Sequence, residues 1–351
     1  MTHKEFFDAI AKEKPARCYL IEGEEEFVKR SVLNRLRQAT VGDNFPEMND
    51  MRLVDPDADQ LIAANETLPF MADMRITTVT ECKMLLNKKG NKDKVATDND
   101  YDEDASAEKL KKYLTNLPET SCLVFYVRGK ADKTRKLFLA LKKYAVIVTC
   151  DRLDDTQLIS WLRQHFRANG KNISQETCQQ LYFSVGRDLT KLDGEIGKLC
   201  AFADGRDEIT AEDIERVCTK TTECVVFDMV ETLLDGNGKK AFEQLNALLL
   251  NGENRMMILA LVGRQCRQLL SAMRMAAAKR QSGEIAAAIG VPPFVVQKIL
   301  RQSRLYTEEQ LKSMNAVCLN TEYEVKSGRM NEEGSLEQVM LEILSIRKKG
   351  K

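Results

Sequence analysis

The chain has 351 residues, 43% hydrophobic and 30% charged, and its Lys plus Arg and Asp plus Glu both total 53. That length suits two or three domains at ~100–200 residues each, and the even charge balance excludes a global basic field, so any nucleic-acid contact must be a local patch. No apolar run approaches the ~18 residues of a membrane span. Met1–Phe7 lacks the apolar core and cleavage site of a secretory signal, so the expectation is a cytoplasmic protein without membrane contact.

Ten cysteines are spread along the chain with no C-x-x-C pair, mostly at apolar positions of predicted elements. They read as reduced, buried thiols. The two histidines, His3 and His165, supply neither a zinc site nor a catalytic triad, and no metal or cofactor site is expected.

Cys18–Glu22 predicts a short buried strand that stops at Gly23 and leads by Arg30 into a helix. A phosphate-binding loop at that junction would read G-x-x-x-x-G-K-[ST]. Gly23 and Lys29 hold the right spacing, but Val28 replaces the second glycine and Arg30 the Mg²⁺-binding hydroxyl. Glu24, Glu25 and Glu26 put negative charge where a triphosphate would sit. The loop is a degenerate nucleotide site, with Gly23 and Lys29 expected as turn and surface residues.

Further strands are predicted at Met51–Val54, Arg75–Val79, Cys122–Val127 and Ala145–Thr149, alternating with helical segments. That alternation implies βαβ units and a parallel sheet. Asn87–Ala107, with its acidic run Asp98–Asp104, reads as a solvated loop without the glycine and terminal glutamate of a calcium loop.

Asp55-Pro56 reads as a helix start, with a capping carboxylate and a proline at the first helical position. This helix should run to about Leu68, where Pro69 stops it and Phe70-Met71 forms an apolar pair at a turn. An exposed aromatic-plus-methionine tip suits recognition of a groove by a few apolar anchors. The residues alone leave open a second reading, in which the pair closes the helix end against its own core.

Hydrolysis would need an acidic pair at the end of a core strand. Cys122–Val127 ends instead in Arg128-Gly129, and no Ser-Arg-Cys finger motif occurs. The basic stretch that follows, with Lys130, Lys133, Arg135 and Lys136 foremost, offers sequence-independent phosphate contacts; it equally suits the solvated face of a helix around Leu137, Phe138 and Leu141.

From Asp151 the strand signals vanish. Thr156–Ala168, Gln175–Phe183, Leu189–Phe202 and Ala211–Thr219 form a helical module broken at Asn169-Gly170, Gly186 and Asp204-Gly205. Longer helices follow at Lys239–Leu250, Asn254–Arg280, Phe294–Arg304, Glu308–Lys326 and Ser335–Arg347. Glu284–Val296 mimics a helix-turn-helix whose second helix carries Lys298, Arg301 and Arg304, although Pro292-Pro293 and apolar Val295, Val296 and Ile299 also fit a bundle turn. The fold class expected is an α/β parallel-sheet domain (residues 1–150), a small helical lid (151–222) and an all-α C-terminal domain (223–351). An α/β domain followed by a helical lid is the AAA+ arrangement.

With these elements in order, the chain resembles the bacterial clamp-loader delta family of DNA polymerase III over nearly its whole length. The likeness is carried by Tyr19–Gly23, Thr67–Asp73, Val185–Leu189, Gly290–Val296 and Lys326–Gly328. The resemblance implies a noncatalytic AAA+-like subunit whose last domain joins a collar. It implies as partners the sliding clamp (the beta subunit), the ATP-hydrolysing tau/gamma subunits, the delta-prime subunit and primer–template DNA bound without sequence preference. By the same resemblance Leu68, Pro69, Phe70 and Met71 form the clamp-binding tip, with Met71 where many relatives carry an aromatic residue or leucine. An AAA+ ATPase and a helix-turn-helix DNA-binding regulator are the alternatives.

Overall fold

A computed structural model describes residues 1–86 and 100–348. The chain divides into two compact units, Met1–Asp155 and Thr156–Lys351.

The first unit is built on five parallel strands: β1 (Cys18–Glu22), β2 (Asp50–Val54), β3 (Arg75–Thr80), β4 (Ser121–Tyr126) and β5 (Val146–Thr149), in the order β2-β3-β4-β1-β5. All five apolar runs form strands within a residue of the expected bounds. β1 and β4 are buried along their whole length because helices cover both faces. Leu20 pairs with Phe125 on one side and Ile147 on the other. With a side-chain period of two, Leu20, Val79, Leu123 and Phe125 share one face. They pack with Leu61 of α4 (Ala58–Glu66), Leu110 of α5 (Asp100–Tyr113) and Leu137 of α6 (Lys136–Tyr144). The opposite face is covered by α1 (His3–Ile10) and α2 (Glu26–Thr40), which bury Phe6, Val32 and Leu36.

Two expectations need correction here. Helix α4 is capped by Asp57 in a reciprocal capping box with Gln60, not by Asp55, and ends at Glu66. Asp55 takes a left-handed backbone (φ 46°), and its carboxylate accepts from the Lys83 amide at 3.0 Å. The acidic run is not a loop throughout. Its first two residues and the rest of 87–99 lie outside the described residues, but from Asp100 the chain is helical. Carboxylates in a first turn favour the helix dipole, and Ala107, Leu110 and Leu114 supply a buried stripe.

The second unit is largely helical. It begins with α7 (Asp155–Ala168), α8 (Gln175–Val185), α9 (Leu189–Phe202) and α10 (Ala211–Val217). Contrary to the strand-free expectation, Asn172–Ile173 (β6) and Glu208–Ile209 (β7) pair in parallel, stitching the loops before α8 and α10. Such two-residue strands are too short to leave a periodic signal.

Seven further helices share one core: α11 (Thr222–Leu234), α12 (Gly238–Leu250), α13 (Arg255–Ala277), α14 (Ser282–Ile289), α15 (Pro293–Ser303), α16 (Glu308–Lys326) and α17 (Ser335–Lys348). On α16 the expected stripe is present, with Leu311, Met314 and Cys318 buried and Val325 half-buried. All ten cysteines are free thiols, eight of them buried. Burial pushes Cys122 and Cys178 up to about 12. Among the described residues no single helix is long and apolar enough to cross a membrane.

Candidate functional site

Beyond Glu66 the chain bends through Thr67, Leu68 and Pro69 to Phe70 and Met71 before β3 begins at Arg75. Proline cannot extend the helix, and Arg75 fastens its end by donating to the Thr67 carbonyl at 3.1 Å. Leu68, Phe70 and Met71 are 77%, 46% and 74% exposed. They do not close the helix against the domain's own core. Pro69 is half-buried between them.

The tip is held by Asn49, which is fully buried at the end of the short helix α3 (Pro46–Asn49). Its carboxamide accepts from the Phe70 amide at 2.8 Å and donates to the Phe70 carbonyl at 2.9 Å. The same nitrogen donates to the Asn44 carbonyl at 2.8 Å. One side chain thus satisfies both backbone groups of Phe70, as a neighbouring strand would. Phe45 packs edge-to-face on Phe70 with ring centres 5.4 Å apart. Phe45 and Met71 both hold left-handed backbone angles, at 46° and 47°. For non-glycine residues such angles cost about 1–2 kcal/mol each, and they persist only where surrounding structure imposes them. Sequence reasoning missed both Asn49 and Phe45. An aromatic residue before proline in the polar stretch Gly42–Pro46 was the available signal.

The loop between β1 and α2 is built differently from its expectation. Gly23 is more than a turn residue: at φ 125° a Cβ would stand 2.1 Å from the Cys150 carbonyl oxygen. Its amide donates to the Gly129 carbonyl at 2.7 Å. Lys29 is not at the surface but only 1% exposed. Its ammonium donates to the Val127 carbonyl at 2.8 Å, pairs with Glu26 at 2.9 Å and faces the Tyr126 ring. Desolvation raises the Glu26 carboxyl, but hydrogen bonds from Tyr126 and Lys29 and the Lys29 and Arg30 charges hold it below its usual value. Arg152 pairs with Glu24 at 3.3 Å across the turn.

A carboxylate does follow a core strand. Glu81 succeeds β3, whereas the sequence signal was sought after β4, and it pairs with Arg128 at 3.1 Å. Between α8 and α9, the Arg187 guanidinium lies over the Tyr182 ring.

The basic stretch is partly consumed by the fold. Arg135 donates to the Leu86 and Lys83 carbonyls and approaches Glu103 at 3.7 Å. Lys136 pairs with Asp104 at 3.0 Å and Lys130 with Asp151 at 2.9 Å, while Lys133 is exposed. In the helix-turn-helix lookalike, α14 and α15 meet at 91°. Val295, Val296 and Ile299 face the helical core, and Lys298 bonds Glu231 of α11. Among the described residues no three His, Cys, Asp or Glu side chains gather as a metal site requires.

Comparison with known proteins bears on both units. Residues 19–151 match the family model described as "DNA polymerase III, delta subunit". Residues 223–343 match "DNA polymerase III delta subunit, C-terminal domain". The chain belongs to the DNA polymerase III delta subunit family. Similar delta-family proteins include the DNA polymerase III subunit delta of Bacillus subtilis, 27% identical over 94% of each chain. The probable subunit delta of Aquifex aeolicus is 22% identical over 89% of this chain and 85% of that one. The solved structure of the Bacillus subtilis DNA clamp loader delta protein covers 98% of this chain and 99% of its own, at 25% identity and a TM-score of 0.56. With the strand order described above and the helical C-terminal region, this makes the fold the AAA+-like one of delta-family proteins, which serve DNA replication.

Proposed function

We propose that this chain is the delta subunit of a clamp loader, which binds the sliding clamp through Leu68, Pro69, Phe70 and Met71, holds one clamp interface open and helps load the ring onto primed DNA. The observation that carries the reading is the presentation of the tip: apolar side chains stand in solvent while Asn49 and Arg75 fasten the backbone beneath them. A preformed tip loses little conformational entropy on docking. Burying Phe70 and Met71 would contribute roughly 3–5 kcal/mol before association costs. A subunit that binds the opened interface better than the closed one shifts the ring toward opening by that difference in affinity, without applied force.

The chain itself performs no nucleotide chemistry in this reading. Its support is that Lys29 is engaged by a carbonyl and a carboxylate of its own domain, and that Glu81 is neutralised by Arg128. ATP hydrolysis then falls to tau/gamma subunits, with delta-prime and primer–template DNA as further partners in the cytoplasm. The chain divides functionally at residues 1–150, 151–222 and 223–351 into a clamp-binding domain, a lid and a collar. Of the four foremost basic residues, Lys130, Arg135 and Lys136 are engaged by carboxylates of the fold, which leaves Lys133 for a sequence-independent phosphate contact.

A pull-down between the full chain and the sliding clamp of the same organism tests the reading. Retention without nucleotide, lost in the Phe70→Ala, Met71→Ala double variant, is the expected result. Equal retention of the folded double variant overturns it.

A further inference from the structure

Among the described residues five non-glycines have positive φ, and two of them, Phe45 and Met71, are large apolar side chains on one small surface. Phe45 holds its left-handed angle without turning into the core. It opens α3 with Pro46 as the next residue, leaves 47% of its surface in solvent, and sets its ring edge-to-face on Phe70 at an interplanar angle of 83°. Asn49, three positions past Pro46, bonds Asn44 on one side of Phe45 and Phe70 on the other. The tip that follows α4 and the segment that precedes α3 are therefore one rigid piece.

We propose that Phe45 is a third apolar anchor for the sliding clamp, supplied by a separate segment, and that Asn49 is the positioning residue that sets Phe45 and Phe70 side by side. The proposal rests on the clamp-binding reading. Continuity identifies the occupant: the Phe45 ring lies against Phe70, so a clamp pocket closing over Phe70 and Met71 covers the open side of Phe45 as well. Anchors that dominate an interface cluster in this way, aromatic beside aromatic, at the centre of the desolvated patch.

The test is titration calorimetry of the full chain against its cognate clamp. The variants are Phe45→Asn, Asn49→Ala and the Phe70→Ala, Met71→Ala pair. Asparagine tolerates the left-handed angle, so Phe45→Asn removes the ring while sparing the backbone. Phe45→Gly, equally tolerant, repeats the test should asparagine disturb folding. Phe45→Asn is expected to weaken binding about 5- to 30-fold with an unchanged melting temperature. Asn49→Ala is expected to weaken binding in the native background and to have a smaller effect once Phe45 is asparagine, a coupling that a general loss of stability would not produce. If Phe45→Asn and Phe45→Gly both bind within about twofold of the native chain while the double alanine variant fails, Phe45 is no anchor and the clamp reading stands. If the double alanine variant binds normally, the clamp reading itself is wrong.

Discussion

The Lys29 ammonium donates to the carbonyl of Val127, 98 residues away, at 2.8 Å. Lys29 braces α2 against the residue that follows β4, with Glu26 as its counter-charge. Lys29→Ala should leave that carbonyl unsatisfied and Glu26 without its cation. The cost should be about 1–3 kcal/mol, toward the lower end of buried-pair losses because Glu26 is partly exposed. Urea unfolding checks the loss. ATP with Mg²⁺ should shift the melting of neither form, and a shift seen only in the native chain would restore a nucleotide role to Lys29.

Gly23 is fixed for two independent reasons, its backbone angle and its approach to Cys150. Gly23→Ala should destabilise the α/β unit by on the order of 3 kcal/mol, because the obstructing atoms are backbone and cannot swing aside. Thermal unfolding followed by circular dichroism reads this directly, and a change within ~0.5 kcal/mol would contradict the packing described.

Arg135 and Lys133 stand two positions apart in the basic stretch, yet they should respond oppositely to alanine. Arg135 closes the turn at Lys83–Leu86, so its loss should cost about 1–2 kcal/mol of stability. Lys133→Ala should leave melting unchanged but lower the salt dependence of DNA binding by the assembled loader by about one charge. Stability and salt-titrated DNA binding, measured side by side, separate the two roles.

Asp213 completes the capping box of α10 with Thr210. A hydrogen bond from Arg206 holds its carboxyl below the ordinary value of 3.8, against desolvation, with Thr210 adding further bonds. Because the folded value lies below the unfolded one, the contribution to stability is fully present above about pH 4 and is lost as pH falls through the folded value. Asp213→Asn should therefore be less stable than the native chain at neutral pH, with the gap narrowing on acidification. A constant gap from pH 7 to pH 3 would show that the charge is not what Asp213 contributes.

The strands were legible because each is a short apolar run between turn residues, and this signal needs no tertiary information. The C-terminal helices were legible for the same reason, as in the stripe on α16. What failed depended on distant partners or on competing local signals. Two carboxylates flank Pro56, and only the left-handed angle at Asp55 decides that Asp57 is the cap. Lys29 follows three glutamates and reads as surface, since nothing nearby reveals that the Val127 carbonyl will accept its hydrogen bond. The start of α5 was obscured by its charge density. The apolar tip at Phe70 could be located because Pro69 marks where a helix must stop. Its buttress, Asn49, could not, because a single carboxamide 21 positions upstream leaves no pattern.

The bridge made by Asn49 also sets a limit on miniaturisation. A synthetic peptide copied from residues 66–73 would carry the apolar side chains but none of the frame that fixes their directions. An inhibitor patterned on this tip would have to span both segments, or replace the carboxamide with a covalent link that imposes the same spacing.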